Sequence, residues 1–197
     1  MRVFLLVLIS LLMARPAGAQ TTPEERLVQA ARARTLAGVH YDGSYVRIKY
    51  PGGDVPADTG VCTDVIIRSY RAAFGYDLQR AVHEDMKAHF SAYPKRWGLK
   101  RPDANIDHRR VPNLETFFAR QGARLPVTDN PKDYKPGDLV TWRLGGSMPH
   151  IGIVSDKKSA NGTPLIIHNV GYGPSEDELL FLVPTYRHYR FLPRKKD

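Results

Sequence analysis

Three apolar stretches in the second half of the chain constrain the fold most: Leu139–Trp142, Pro149–Val154 and Pro164–Asn169. They are rich in β-branched residues and separated by the turn pairs Gly145-Gly146 and Asn161-Gly162. Strand, turn, strand, turn, strand is the pattern of two consecutive hairpins, hence of an antiparallel meander. Lys135-Pro136-Gly137-Asp138 supplies the turn into the first stretch, and a last aromatic strand is expected from about Tyr186 to Leu192. The run Pro164–Asn169 is apolar on both faces, so one face should lie on helices and the other under further cover.

The first half carries helical periodicity instead. Thr22-Pro23-Glu24-Glu25 combines an N-cap, a proline at the first helical position and an acidic first turn, opening a helix to about Leu36 that ends at Gly38. From Cys62, the residues Val65, Ile66, Tyr70, Ala73 and Phe74 recur on one helical face until Gly75 stops it. Further helices are expected from about Asp77 to Ala92, and from Pro112 to Gly122. Tyr45–Tyr50 alternates at period two and reads as a short strand, broken by Pro51-Gly52-Gly53-Asp54. Helices first and strands afterwards give an α+β domain, with N-terminal helices packed on an antiparallel β-sheet.

Residues 1–19 have the layout of a secretory signal: Arg2, an apolar run from Val3 to Met13, and Ala17-Gly18-Ala19 as a cleavage site before Gln20. The run is too short to span a bilayer, and Arg15 and Pro16 interrupt an uncleaved anchor. The mature chain is therefore expected to be exported, periplasmic or extracellular, without a transmembrane segment. Its domains would be a signal at 1–19, a helical extension at 20–42 and one domain at 43–197. A formal charge of +9 suits anionic partners, but the basic residues are scattered rather than interleaved with aromatics, which argues against nucleic acid.

Only one cysteine is present. Cys62 sits on the first turn of its helix, where unpaired N–H groups and the helix dipole favour a thiolate. A free cysteine is also often a small buried hydrophobe. In an exported chain, though, an unpaired cysteine points to a reactive thiol or an intermolecular bridge. His150 opens one strand and His168 closes its hairpin partner, so the topology can bring both imidazoles together near Cys62. A base to take the thiol proton and a third group to orient that base are what thiol catalysis requires. His168 and Asn169 face opposite ways, so only one can be the third group. Two histidines and a distant thiol make a poor metal set, and no metal or cofactor is expected. Asn105-Ile106-Asp107-His108-Arg109-Arg110 is denser in functional groups than a connector needs; it is either a solvated loop or part of a site. Arg109 or Arg110 should meet a carboxylate, of the substrate or of a residue such as Asp64.

Four elements in order carry a resemblance: Gly60-Val61-Cys62-Thr63-Asp64-Val65, Asn105–Leu114, Lys135–Val140 and Ile167–Gly171. With His150-Ile151-Gly152-Ile153-Val154, they resemble the bacterial domain of unknown function 1287 family, within the papain-like NlpC/p60 and CHAP cysteine hydrolases. That resemblance, over roughly Gly43 to Leu192, implies a papain-like α+β hydrolase of amide bonds. Cys62 would be nucleophile, His150 base and His168 the orienting residue, with Tyr50 helping the oxyanion site. Arg109, Arg110 and Asp64 are the substrate-binding candidates. Val61-Cys62-Thr63-Asp64 departs from the Asp-Cys-Ser-Gly usual in NlpC enzymes, and the Asp64 charge would oppose a thiolate. Cys62 precedes His150, unlike the permuted lipid acyltransferase branch. The substrate would be peptidoglycan or another anionic cell-envelope amide; the alternative is a non-catalytic papain-like module that binds a wall fragment or a protein.

Overall fold

The computed structural model describes residues 20–193, so the expected signal at 1–19 lies outside the described residues. The helices are α1 (Pro23–Arg34), α2 (Cys62–Phe74), α3 (Leu78–Ala88) and α4 (Val111–Arg120). Two short strands, β1 (His40–Tyr41) and β2 (Thr59–Gly60), pair in parallel just ahead of α2. The remaining strands are β3 (Arg124–Leu125), β4 (Leu139–Leu144), β5 (Met148–Lys158), β6 (Pro164–Asn169), β7 (Pro174–Asp177) and β8 (Thr185–Tyr189). They form one antiparallel sheet in the order β3-β8-β4-β5-β6-β7. The architecture is mixed α+β, with the expected meander at its centre.

Local chemistry sets most boundaries. Thr22 and Glu25 close a reciprocal capping box on α1, with Pro23 behind it. Gly75 ends α2 in the left-handed conformation at φ 63°, which glycine adopts without a Cβ penalty. Asp77 caps α3 by accepting from the Gln79 amide. That helix stops at Ala88, short of the expected Ala92: His89 leaves helical geometry, Phe90–Ala92 make one 3-10 turn, and Tyr93 is extended before Pro94.

Residues 45–50 are not a strand. Val46 and Ile48 do turn inward, as the alternation requires, but no neighbouring strand is available. Side chains satisfy the backbone instead: Asn105 Oδ1 accepts from Ile48 N, and Gln79 Nε2 donates to Lys49 O. β8 ends at Tyr189 rather than Leu192, and Phe191 leaves the sheet to join Tyr70, Tyr76, Phe117 and Phe118. β3 and β7 carry little apolar pattern and were not expected. β7, with Pro174, Glu176 and Asp177, has the proline and charge typical of an exposed edge.

Both faces of the sheet are covered. Leu139, Ile151, Ile153, Ile167 and Tyr189 pack on the helices, together with Leu27, Val28, Ala31, Ile66, Tyr70 and Phe118. Thus α1, expected as an extension, shares the main core. Val140, Trp142, Val154 and Ile166 face the other way, beneath Tyr134, Leu179 and Leu180. Burying each such large apolar side chain is worth about 1.5–3 kcal/mol. Among the described residues, no helix is long and apolar enough to cross a membrane.

Candidate thiol site

Cys62 is the first residue of α2, presented by the β1–β2 pair. Its position is held from several sides. Arg68, one helical turn and a half along α2, reaches back to Asp54 and to the carbonyls of Val55, Pro56, Ala57 and Thr59. This buried guanidinium fixes the whole loop that delivers Cys62. Asn169 Nδ2 donates to Gly60 O at 3.2 Å and ties the end of β6 to the same loop.

Asp64 and Arg109 form the innermost part of this frame. Arg109 Nε and Nη2 donate to the two Asp64 oxygens, each at 2.9 Å, with side-chain exposures of 2% and 3%. Asp64 Oδ2 also accepts from Val61 N at 2.7 Å, at the helix N-terminus. Arg109 further donates to Ser44 O and Asp42 O, while its own carbonyl accepts from Thr63 Oγ1. Arg109 therefore meets the carboxylate of Asp64, in an internal clamp rather than at a solvent-facing groove. Arg110 goes elsewhere: it donates to Asp107 at 3.0 Å and stacks over Trp97 at 4.2 Å.

The structure brings His150 and His168 together. His150 Nε2 lies 3.0 Å from His168 Nδ1, with both rings buried. Gly152, opposite this pair, makes the approach possible: a Cβ there would overlap Ile166 Cγ2 and press on His168 Cβ at 3.2 Å. His168 Nε2 is buried without a hydrogen bond, 3.5 Å from Asp177 Oδ2 on β7. Asn169 is occupied with Gly60 O and Gly171 N.

Burial governs the electrostatics. It pushes the Cys62 thiol up to about 12, against the amides of Ile151, Thr63 and Cys62 itself, which favour the thiolate. The Asp64 charge adds to the upward push. Burial, and then His168, lower His150 to about 3. The resting pair is thus a neutral thiol and a neutral imidazole. The Ile151 amide belongs to the residue after His150, so the start of β5 reaches the sulfur.

Tyr41, on β1, pairs with Gly60, two residues ahead of Cys62. Its phenol is raised first by burial and then by the charges of Cys62 and Asp64. Sequence reasoning singled out Tyr50, which instead donates to Glu84 and packs edge-on against His83. No local signal marks Tyr41; only the parallel Tyr41–Gly60 pairing carries it to the thiol. Arg68 was also missed, because a buried arginine on an otherwise apolar helix face looks like an exposed one in sequence. Among the described residues, no cluster of three histidines, cysteines or carboxylates could hold a metal ion.

Residues 28–191 match the family described as Domain of unknown function (DUF1287). The chain is also 51% identical over 165 residues to the uncharacterized protein YijF of Escherichia coli (strain K12), covering 84% of this chain and 80% of that one.

Proposed function

The chain belongs to the DUF1287 family, and we propose that this member is an exported thiol hydrolase of amide bonds, of papain-like NlpC/p60 kind, acting on peptidoglycan stem peptides. The observation that carries the reading is the 3.0 Å contact between His150 and His168, on a strand whose next amide, that of Ile151, reaches the thiol at the N-terminus of α2. With its Nε2–H donated to His168 Nδ1, His150 keeps a lone pair on Nδ1. His168 then carries its proton on Nε2, on the side of Asp177.

In the proposed reaction Cys62 Sγ attacks the amide carbon while its proton passes to His150 Nδ1. The tetrahedral oxyanion is stabilised by the Cys62 amide and the Tyr41 hydroxyl. His150 returns the proton to the leaving nitrogen, the C–N bond breaks and a thioester remains. Water, deprotonated by His150, then attacks that thioester; the acid leaves and the thiol is regenerated. Burial penalises each lone ion, whereas the transferred proton leaves a thiolate and an imidazolium that offset one another. The leader-like segment at 1–19 supports export, and the charge of +7 left from +9 without Arg2 and Arg15 supports an anionic wall as partner.

The test is purified protein on isolated peptidoglycan, with product masses compared against Cys62→Ala and His150→Ala. Products that vanish in both variants are expected. No product dependent on Cys62, across several wall types, would remove the assignment. A second reading is favoured by the depth of the thiol, 6% exposed and pushed up to about 12: a module that binds a wall fragment without turnover. It is distinguished by wall binding that Cys62→Ala retains in full, with no released fragment from the wild type.

A further inference from the structure

A cleft of about 690 Å3 opens between α4, the β3–β8–β4 end of the sheet and the segment around Pro94. Neither Cys62, His150 nor His168 lines it. Five arginines do: Arg96, Arg120, Arg124, Arg143 and Arg187, against Glu115 as the one carboxylate in the lining. Two of them are already partnered. Arg143 forks onto Glu115 at 2.9 and 2.7 Å, and Arg120 onto Asp85 at 2.7 and 3.2 Å. Arg96, Arg124 and Arg187 have no carboxylate partner among the described residues.

Tyr186 organises the cleft. The guanidinium groups of Arg143 and Arg187 lie 3.7 and 4.0 Å from its ring centroid. Stacking of this kind fixes the plane and direction of a guanidinium, so less freedom is lost when it binds. Arg124 and Arg187 stand on the paired strands β3 and β8, a rigid base rather than a loop. Collecting like charges in a concave space raises its potential and leaves an uncompensated repulsion. An anion relieves it. The guanidinium fork matches carboxylate and phosphate oxygens in bidentate fashion. The cleft is broad and open to solvent, so a small ligand would reach the arginines from one side.

We propose that this cleft binds a small ligand bearing two or more carboxylate or phosphate groups, with Arg124, Arg187 and Arg96 as its ion partners and Tyr186 as the platform of Arg187. The proposal concerns binding alone and stands apart from the chemistry assigned to Cys62.

The test is isothermal titration of the purified protein with inorganic pyrophosphate and, separately, with citrate, at low and at physiological ionic strength. Saturable one-to-one binding of at least one probe is expected, weakened about tenfold or more in Arg124→Gln/Arg187→Gln, while the exposed Arg47→Gln leaves it unchanged. Neither cleft arginine holds an ion pair, so the variants should melt as the wild type does. If the double variant melts lower, the two single variants carry the comparison. Pyrophosphate alone binding identifies a phosphate-bearing ligand; citrate alone, a carboxylate-bearing one. No saturation with either probe, or equal binding by wild type and cleft variants, overturns the proposal.

Discussion

Replacing Arg109 by Met tests the clamp beneath the thiol. The substitution keeps a long apolar stem but removes both charged hydrogen bonds to Asp64 and those to the carbonyls of Ser44 and Asp42. Asp64 would be left buried and charged, with the Val61 amide as its remaining partner. Removing one member of a buried ion pair typically costs about 3–5 kcal/mol. For a chain of this size that corresponds to a fall in Tm of roughly 6–20 °C. Guanidinium unfolding monitored by circular dichroism reads the loss as a lower midpoint at unchanged slope. The double variant Asp64→Asn/Arg109→Met should recover part of it, because the orphaned charge is gone. A loss below about 1 kcal/mol would refute the argument, since a pair that contributes so little behaves as an exposed one.

Three other outcomes are expected. First, stability should fall from pH 6.5 downward: His150 and His108, both lowered by burial to about 3, are neutral in the native state but protonated when unfolded. The native state then binds fewer protons between pH 6.5 and 3, which weakens folding by up to about 4–5 kcal/mol per imidazole. Glu176, lowered from 4.5 to about 2 first by its hydrogen bond to Arg32, keeps its contribution above pH 4.5 and loses it as pH falls from there to about 2, below most of the histidine window. His150→Gln should flatten that slope in unfolding titrations, and an unchanged slope would contradict the assignment. Second, Gly152→Ala should cost about 1–3 kcal/mol by overpacking against Ile166 and should part the two imidazoles, read as shifted histidine ring resonances by NMR; unshifted resonances would show that the pair does not need the missing Cβ. Third, Asp177→Asn should lower the titration midpoint of His168, because the Asp177 charge raises it against burial; an unmoved midpoint would mean the carboxylate is spent on solvent.

Local pattern alone settled much of the scaffold. The capping residues Thr22, Asp77 and Gly75 act within one helical turn, so their effect is written in adjacent residues. The β-branched runs at 139–142, 149–154 and 164–169, with short glycine turns, allow little besides a meander, and the meander brings His150 to His168. Even the two-faced burial of β6 is legible, as an unbroken apolar run. What sequence could not give depends on partners distant along the chain. Tyr45–Tyr50 has the alternation of a strand, yet pairing requires a free neighbouring edge, and here Asn105 and Gln79 take that place. Nothing local marks Tyr41; the parallel β1–β2 pairing sets it against Gly60, two residues ahead of Cys62, while Tyr50 turns to Glu84. The basic stretch at 109–110 shows two arginines side by side, and backbone direction alone sends one inward to Asp64 and the other out over Trp97. The depth of Cys62 is likewise a tertiary outcome. Amides at a helix N-terminus lower a thiol's proton affinity, but the core packed around this one raises it further than the amides of Ile151, Thr63 and Cys62 offset.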